Sequence, residues 1–161
     1  MKIAAKKAAK AAKEADTESK SIEVRMEGLS PIIEEVTGSG KNVELTVTGS
    51  SMEPLLHHKV SVVRLSGATD LKRGDVPLYR RENGAYVLHR IIRKSDSGEY
   101  SMCGDNQWVL EPGIKKEQMI AKMTAFSRDG KKWTECESIG YKVYTRLWML
   151  VRILKRIRHI W

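Results

Sequence analysis

The sequence predicts a mostly β domain of the β-rich α+β class, with a short helix before the sheet and a basic helix after it. Three observations carry this. Segments such as Val43-Glu44-Leu45-Thr46-Val47-Thr48 alternate apolar and polar positions and are rich in β-branched residues, the pattern of a half-buried strand. Turn residues, mainly Gly, Asp and Asn, recur between such segments. The last twenty or so residues switch to apolar positions at helical spacing. A chain of 161 residues, 41% hydrophobic and 30% charged, is the size of one domain and can bury a core, which excludes disordered and collagen-like classes.

In chain order, residues 1–20 form a basic Ala/Lys-rich arm and linker, 21–40 a short helical lead-in, 41–136 the core, and 137–161 a basic amphipathic helix. The arm, MKIAAKKAAKAAKEAD, places a lysine every three or four residues and so lacks the continuous apolar stretch of a signal peptide or spanning helix. The lead-in helix is expected to start at Ser30 with Pro31 in its first position and to end near Thr37, stopped by Gly38-Ser39-Gly40. Further strands are expected over 60–65, 76–81, 86–93, 99–103 and 119–127. Glu82-Asn83-Gly84 reads as a tight hairpin turn, which places His89 on the returning strand. Pro77 removes one ladder donor, so its strand should be an edge or bulged there.

In the terminal helix, Leu147, Leu150, Val151, Leu154, Ile157 and Trp161 share one side, while the other mixes Arg152 and Arg156 with Met149, Ile153 and Ile160. Its longest uncharged run, Leu147 to Val151, is far short of the roughly 20 residues that a spanning helix needs. It either docks on the body or lies in a membrane interface, where Trp and interspersed Arg suit the headgroup layer. The net charge of +9 belongs to the ends: Lys2, Lys6, Lys7, Lys10 and Lys13 at one, Lys142, Arg146, Arg152, Lys155, Arg156 and Arg158 at the other. The middle is close to neutral, so the body is not a basic surface for specific nucleic-acid binding; residues 142–161 could meet an anionic membrane. Cys103 and Cys136 are too few for a disulfide framework and lack metal-ligand spacing.

The residues that suggest chemistry form an ordered set: Gly49-Ser50-Ser51-Met52-Glu53-Pro54, Arg73-Gly74-Asp75, His89-Arg90-Ile91 and Gly104-Asp105-Asn106. A serine hydroxyl is a poor nucleophile until a base takes its proton, and a neutral imidazole does so near pH 7. A carboxylate beside that imidazole fixes its tautomer and stabilises its positive form. His57, His58 and His159 have no comparable context, and the first two are expected to be exposed. Asp75 reads as a structural turn residue.

In order and spacing, over residues 43–127, the set resembles the conserved boxes of the signal peptidase I family. The resemblance implies the fold of a signal peptidase/LexA-like catalytic β core and the activity of a serine endopeptidase that cleaves signal-peptide-like or precursor peptides through an acyl-enzyme. It implies Ser51 as nucleophile, Met52 and Pro54 as shapers of its turn, and His89 as general base, as in the endoplasmic-reticulum and archaeal type, where most bacterial members hold lysine. It makes Asp105 the leading orienting acid for His89, with Glu111, at the place of a second acid in histidine-bearing relatives, as the other candidate. The Ser51 N–H is the expected oxyanion donor. Gly49 stands where some relatives supply a further hydroxyl, which leaves Ser50 or Thr48 to compensate.

No cofactor or metal is implied. The partner would be an extended peptide or preprotein lying along a strand edge. Without a spanning segment, the expected location is cytoplasmic and peripheral at an anionic membrane surface, although typical family members are anchored. The alternatives are a self-cleaving regulator of the LexA/UmuD type, which uses lysine as base, and a catalytically silent membrane-surface adaptor.

Overall fold

The computed structural model describes residues 26–158, with side chains placed from Ser30 to Arg152. The arm at 1–20, His159 and Trp161 lie outside the described residues. The architecture is β-rich α+β: among the described residues there are two sheets, two α-helices and a 3-10 turn at Lys116–Gln118.

Helix α1 (Met26–Gly38) begins a turn earlier than the Pro31 signal suggests, so Pro31 lies inside it. Ile33 and Thr37 are its buried anchors, and the Thr37 hydroxyl donates to the Ile33 carbonyl (2.7 Å). The larger sheet has the order β1 (Val43–Thr46), β2 (Val62–Gly67), β8 (Met119–Ser127), β3 (Pro77–Arg80), β4 (Tyr86–Leu88), with β9 (Trp133–Glu135) also paired to β8. The smaller sheet is β5 (Arg90–Lys94), β6 (Tyr100–Cys103), β7 (Glu111–Ile114). All pairings are antiparallel.

The expected hairpin joins β3 to β4: Gly84 takes φ +86°, and Arg81 N–H donates to the Ala85 carbonyl (2.8 Å). Pro77 opens β3, a position where a missing N–H costs the ladder least. Far from being an edge, β3 lies between β8 and β4, and an irregularity in its pairing with β8 falls between Leu78 and Tyr79. The segment expected as one strand over 86–93 is two strands, interrupted at His89, where the chain leaves the larger sheet for the smaller. β7 and β9 are elements that alternation did not announce; Pro112 and Gly113 inside β7 mask it.

One core holds Ile33, Met52, Leu55, Leu56, Leu65, Met123 and Phe126 under the larger sheet; a second gathers Tyr79, Ile91, Tyr100, Met102 and Ile114. Helix α2 (Ile139–Arg158) docks through Tyr141 and Met149, both 8% exposed. The side that hydropathy favours is the other one: Leu147 (57% exposed), Leu150 (56%) and Val151 (46%) face outward. Among the described residues, no helix is long and apolar enough to cross a membrane.

Candidate active site

The serine turn follows from how β1 ends. Val47 N–H donates to the Ser61 carbonyl (2.8 Å) and Lys59 N–H returns to the Val47 carbonyl (2.8 Å), which closes the segment between them into a loop. Gly49 turns the chain with φ +89°, a conformation that costs other residues strain, and its N–H donates to His58 Nδ1 (2.8 Å). Met52, Leu55 and Leu56 then plunge into the core at 2%, 1% and 0% exposure, which fixes the turn from below and leaves Ser51 half-buried at its rim. Ser50 and Pro54 are exposed.

A second turn packs on the first. Asn106 N–H donates to the Ser51 carbonyl (2.8 Å) and the Asn106 amide to the Ser50 carbonyl (3.3 Å). Gly104 is required by this approach, because a Cβ there would stand 2.5 Å from the Ser51 carbonyl oxygen and 3.1 Å from His89 Nε2. The Ser51 backbone and His89 Nε2 therefore converge on one point that only a glycine leaves open.

His89 is 3% exposed. Its other ring nitrogen, Nδ1, lies 3.3 Å from the Tyr79 hydroxyl, which in turn bonds Glu111 Oε2 (2.7 Å). Glu111 is gripped by Arg81 through Nε to Oε1 (2.7 Å) and Nη2 to Oε2 (2.6 Å). Burial, helped by the Arg81 charge and opposed by Glu111, pulls the His89 pKa down to about 4, so the ring is neutral near pH 7. Burial pushes Glu111 up, but the Arg81 pair and the Tyr79 hydroxyl outweigh it and hold the carboxyl below its ordinary value. Burial, then the bond to Glu111, pushes the Tyr79 hydroxyl well above its ordinary value, so it keeps its proton.

Asp105 is placed differently from the expectation that it orients His89. Both its oxygens accept from Arg90, Nε to Oδ1 at 2.8 Å and Nη2 to Oδ2 at 2.6 Å, and both side chains are 0% exposed. His89 and Arg90 are consecutive at the junction of β4 and β5, so their side chains part to opposite sides; the turn after β6 meets both, with Gly104 against His89 Nε2 and Asp105 against Arg90. Arg90 Nη1 completes its bonds on the Gly74 carbonyl, Tyr141 and Thr145, and the guanidinium stands 5.4–6.0 Å from the ring centroids of Tyr141, Tyr144 and Trp148. The acid with a path to His89 is Glu111, by way of Tyr79.

His57 and His58 are exposed, as expected, though His58 anchors Gly49. Asp75 Oδ2 accepts from Lys72 N–H (2.9 Å), a turn contact. Sequence reasoning passed over Tyr79, Arg81 and the structural use of Arg90. The hairpin carried a signal for the first: its register pairs Tyr79 with Val87, which makes His89 the diagonal neighbour on the same face.

Neither a scan of the chain against protein-family models nor a search of curated proteins finds a match.

Proposed function

We propose that the chain is a serine endopeptidase of the signal peptidase I type, with Ser51 as nucleophile and His89 as general base. The observation that carries this is the convergence of the Ser51 turn and a buried, neutral His89 on Gly104. His89 Nε2 takes the proton of Ser51 Oγ as the oxygen bonds the substrate carbonyl carbon; the ring returns that proton to the amine as the C–N bond breaks, and water resolves the acyl-enzyme by the same exchange. The Ser51 N–H serves the oxyanion. Two edge strands of the larger sheet lead to these residues, β1 into the serine turn and β4 into His89, which suits an extended peptide added as a strand.

The test is acylation by a peptide probe, located by mass spectrometry. Ser51 should carry the label, and Ser51→Ala and His89→Ala should each abolish turnover, with the double variant little worse than either because the residues act as one unit. Full turnover in either single variant overturns the assignment. Two fragments appearing on long incubation without substrate would favour the self-cleaving regulator instead.

The same reading places the enzyme at an anionic membrane surface. On α2, Ile139, Val143, Leu147 and Leu150 form an outward apolar stripe, and Lys142 and Arg146 stand on the same helix. Trp108 and Val109, also exposed, belong to the segment whose carbonyls Arg152 of α2 holds (3.0 Å to Gln107, 2.9 Å to Trp108). Removing residues 142–161 would also remove Tyr144, Thr145 and Trp148 from Arg90 and Asp105, so the sharper variant is Leu147→Ser with Leu150→Ser. It should lower binding to anionic vesicles at least tenfold, since each buried leucine is worth about 1.5–3 kcal/mol. The remaining affinity should weaken with salt, as each nearby cation contributes about 1 kcal/mol. Unchanged co-sedimentation with vesicles removes the membrane from the proposal.

A further inference from the structure

The Tyr79 hydroxyl has one proton and two neighbours, Glu111 Oε2 at 2.7 Å and His89 Nδ1 at 3.3 Å. Which neighbour receives it follows from the other charges. Arg81 holds the Glu111 carboxylate through both oxygens, so that group is ionised and can only accept. The tyrosine proton therefore goes to Glu111, and its oxygen turns lone pairs toward Nδ1. If Nδ1 were bare, two lone pairs would face each other in a site where Tyr79 is wholly buried and His89 nearly so, without bulk water to separate them. With its proton on Nδ1, the neutral ring donates to Tyr79 and leaves Nε2 bare.

We propose that Tyr79 is a positioning residue: its hydroxyl, oriented by the Arg81–Glu111 pair, fixes His89 in the Nδ1–H tautomer and so leaves the Nε2 lone pair bare on the side of Gly104 and the Ser51 turn. The carboxylate acts on the ring through the phenol and does not touch it. Arg81, Glu111, Tyr79 and His89 form one chain of bonds, drawn from the end of β3, from β7, from β3 itself and from the break between β4 and β5. As the ring takes up the Ser51 proton, Nδ1–H becomes a charged donor, and the same hydroxyl stabilises it. The catalytic half of this proposal rests on the peptidase reading; the tautomer does not.

Long-range ¹H–¹⁵N correlation spectra of the full chain, with His89 assigned by its disappearance in His89→Gln, read the tautomer directly. The wild type should show a protonated Nδ1 and a bare Nε2. Tyr79→Phe should move His89 toward the Nε2–H form. Glu111→Gln should do the same without altering the core, because its amide can donate to the phenol and turn the phenolic proton toward Nδ1. With the peptide probe, Tyr79→Phe should lower the maximal acylation rate about 10- to 100-fold, part of the 10²–10⁴ that general-base catalysis supplies, at an unchanged half-saturation concentration. A wild-type ring protonated on Nε2, or a tautomer that neither variant moves, overturns the proposal whatever the activity. A wild type that is never acylated while its tautomer responds as described removes the peptidase reading and leaves the role of Tyr79 in place.

Discussion

Two arginine–carboxylate pairs flank His89, and they differ in burial and in what they touch. Arg90–Asp105 is wholly buried, bidentate and ringed by the aromatic side chains of α2. Arg81–Glu111 is equally short at 2.6 Å but keeps 34% and 26% of its side-chain surface exposed, and it reaches the ring through Tyr79. Arg90 is the sequence neighbour of His89, yet the cation that presses on the ring is Arg81. The buried pair is a clamp: it ties β5, the end of β6 and α2 into one body, so that the Gly104 turn stays against the serine turn. Burial does most to keep the ring neutral, and the half-exposed pair bears on it with opposed charges and through the Tyr79 hydroxyl. Proximity in sequence to His89 is therefore a poor guide to which ion pair reaches its ring.

The comparison breaks most sharply at the carboxylates. Asp105→Asn leaves the Arg90 guanidinium charged, buried and without its anion, a change that costs about 3–5 kcal/mol. Glu111→Gln leaves a bond partner for the buried Tyr79 hydroxyl and disrupts only a half-exposed pair, at a cost below about 1 kcal/mol. Urea unfolding should therefore show a large loss of midpoint for the first and almost none for the second, while the second alone lowers the maximal rate in a protein that is still fully folded. An Asp105→Asn variant of unchanged stability and lost activity would return the orienting role to Asp105 and collapse the distinction.

How much of this was legible beforehand varies with the kind of information each feature needs. Alternation revealed the strands that have one wet face, such as β1, and the Asn83-Gly84 hairpin, because those signals are local. It could not reveal the break at His89, since apolar and polar positions continue through it while the chain changes sheets. The docked face of α2 was hidden by its own composition. Tyr141, Thr145, Trp148 and Arg152 are not what a hydropathy count selects, but a buried guanidinium and carboxylate need donors, acceptors and ring faces, and those residues supply them. The leucine stripe that the count does select faces outward. At the site, motif spacing singled out Ser51, His89, Asp105 and Glu111; partner assignment required knowing that the side chains of 89 and 90 part to opposite sides and that the turn at 104–106 carries Asp105 to Arg90.

The protonation of His89 sharpens the comparison in a second way, because the clamp and the ring-facing pair should respond differently to acid. The groups that bear on the ring are the Tyr79 hydroxyl, at 3.3 Å from Nδ1, and the charges of Arg81 and Glu111. Burial first, and then the Arg81 cation, hold the folded pKa near 4 against an ordinary value of 6.5. Between those values the unfolded chain binds a proton that the folded chain refuses, so stability rises with pH across that window. The contribution is complete above about 6.5 and is lost as pH falls toward 4, with a size on the order of 3 kcal/mol. Carboxylates also lose stability in acid, so the wild type must be compared with His89→Gln, in which the same carboxylates remain. Urea unfolding at about pH 7.5 and about pH 5 should show the wild type losing more stability than His89→Gln over that interval. Equal losses in the two proteins would mean that the ring is solvated or paired in solution, and Arg81 would then have no more hold on it than Arg90.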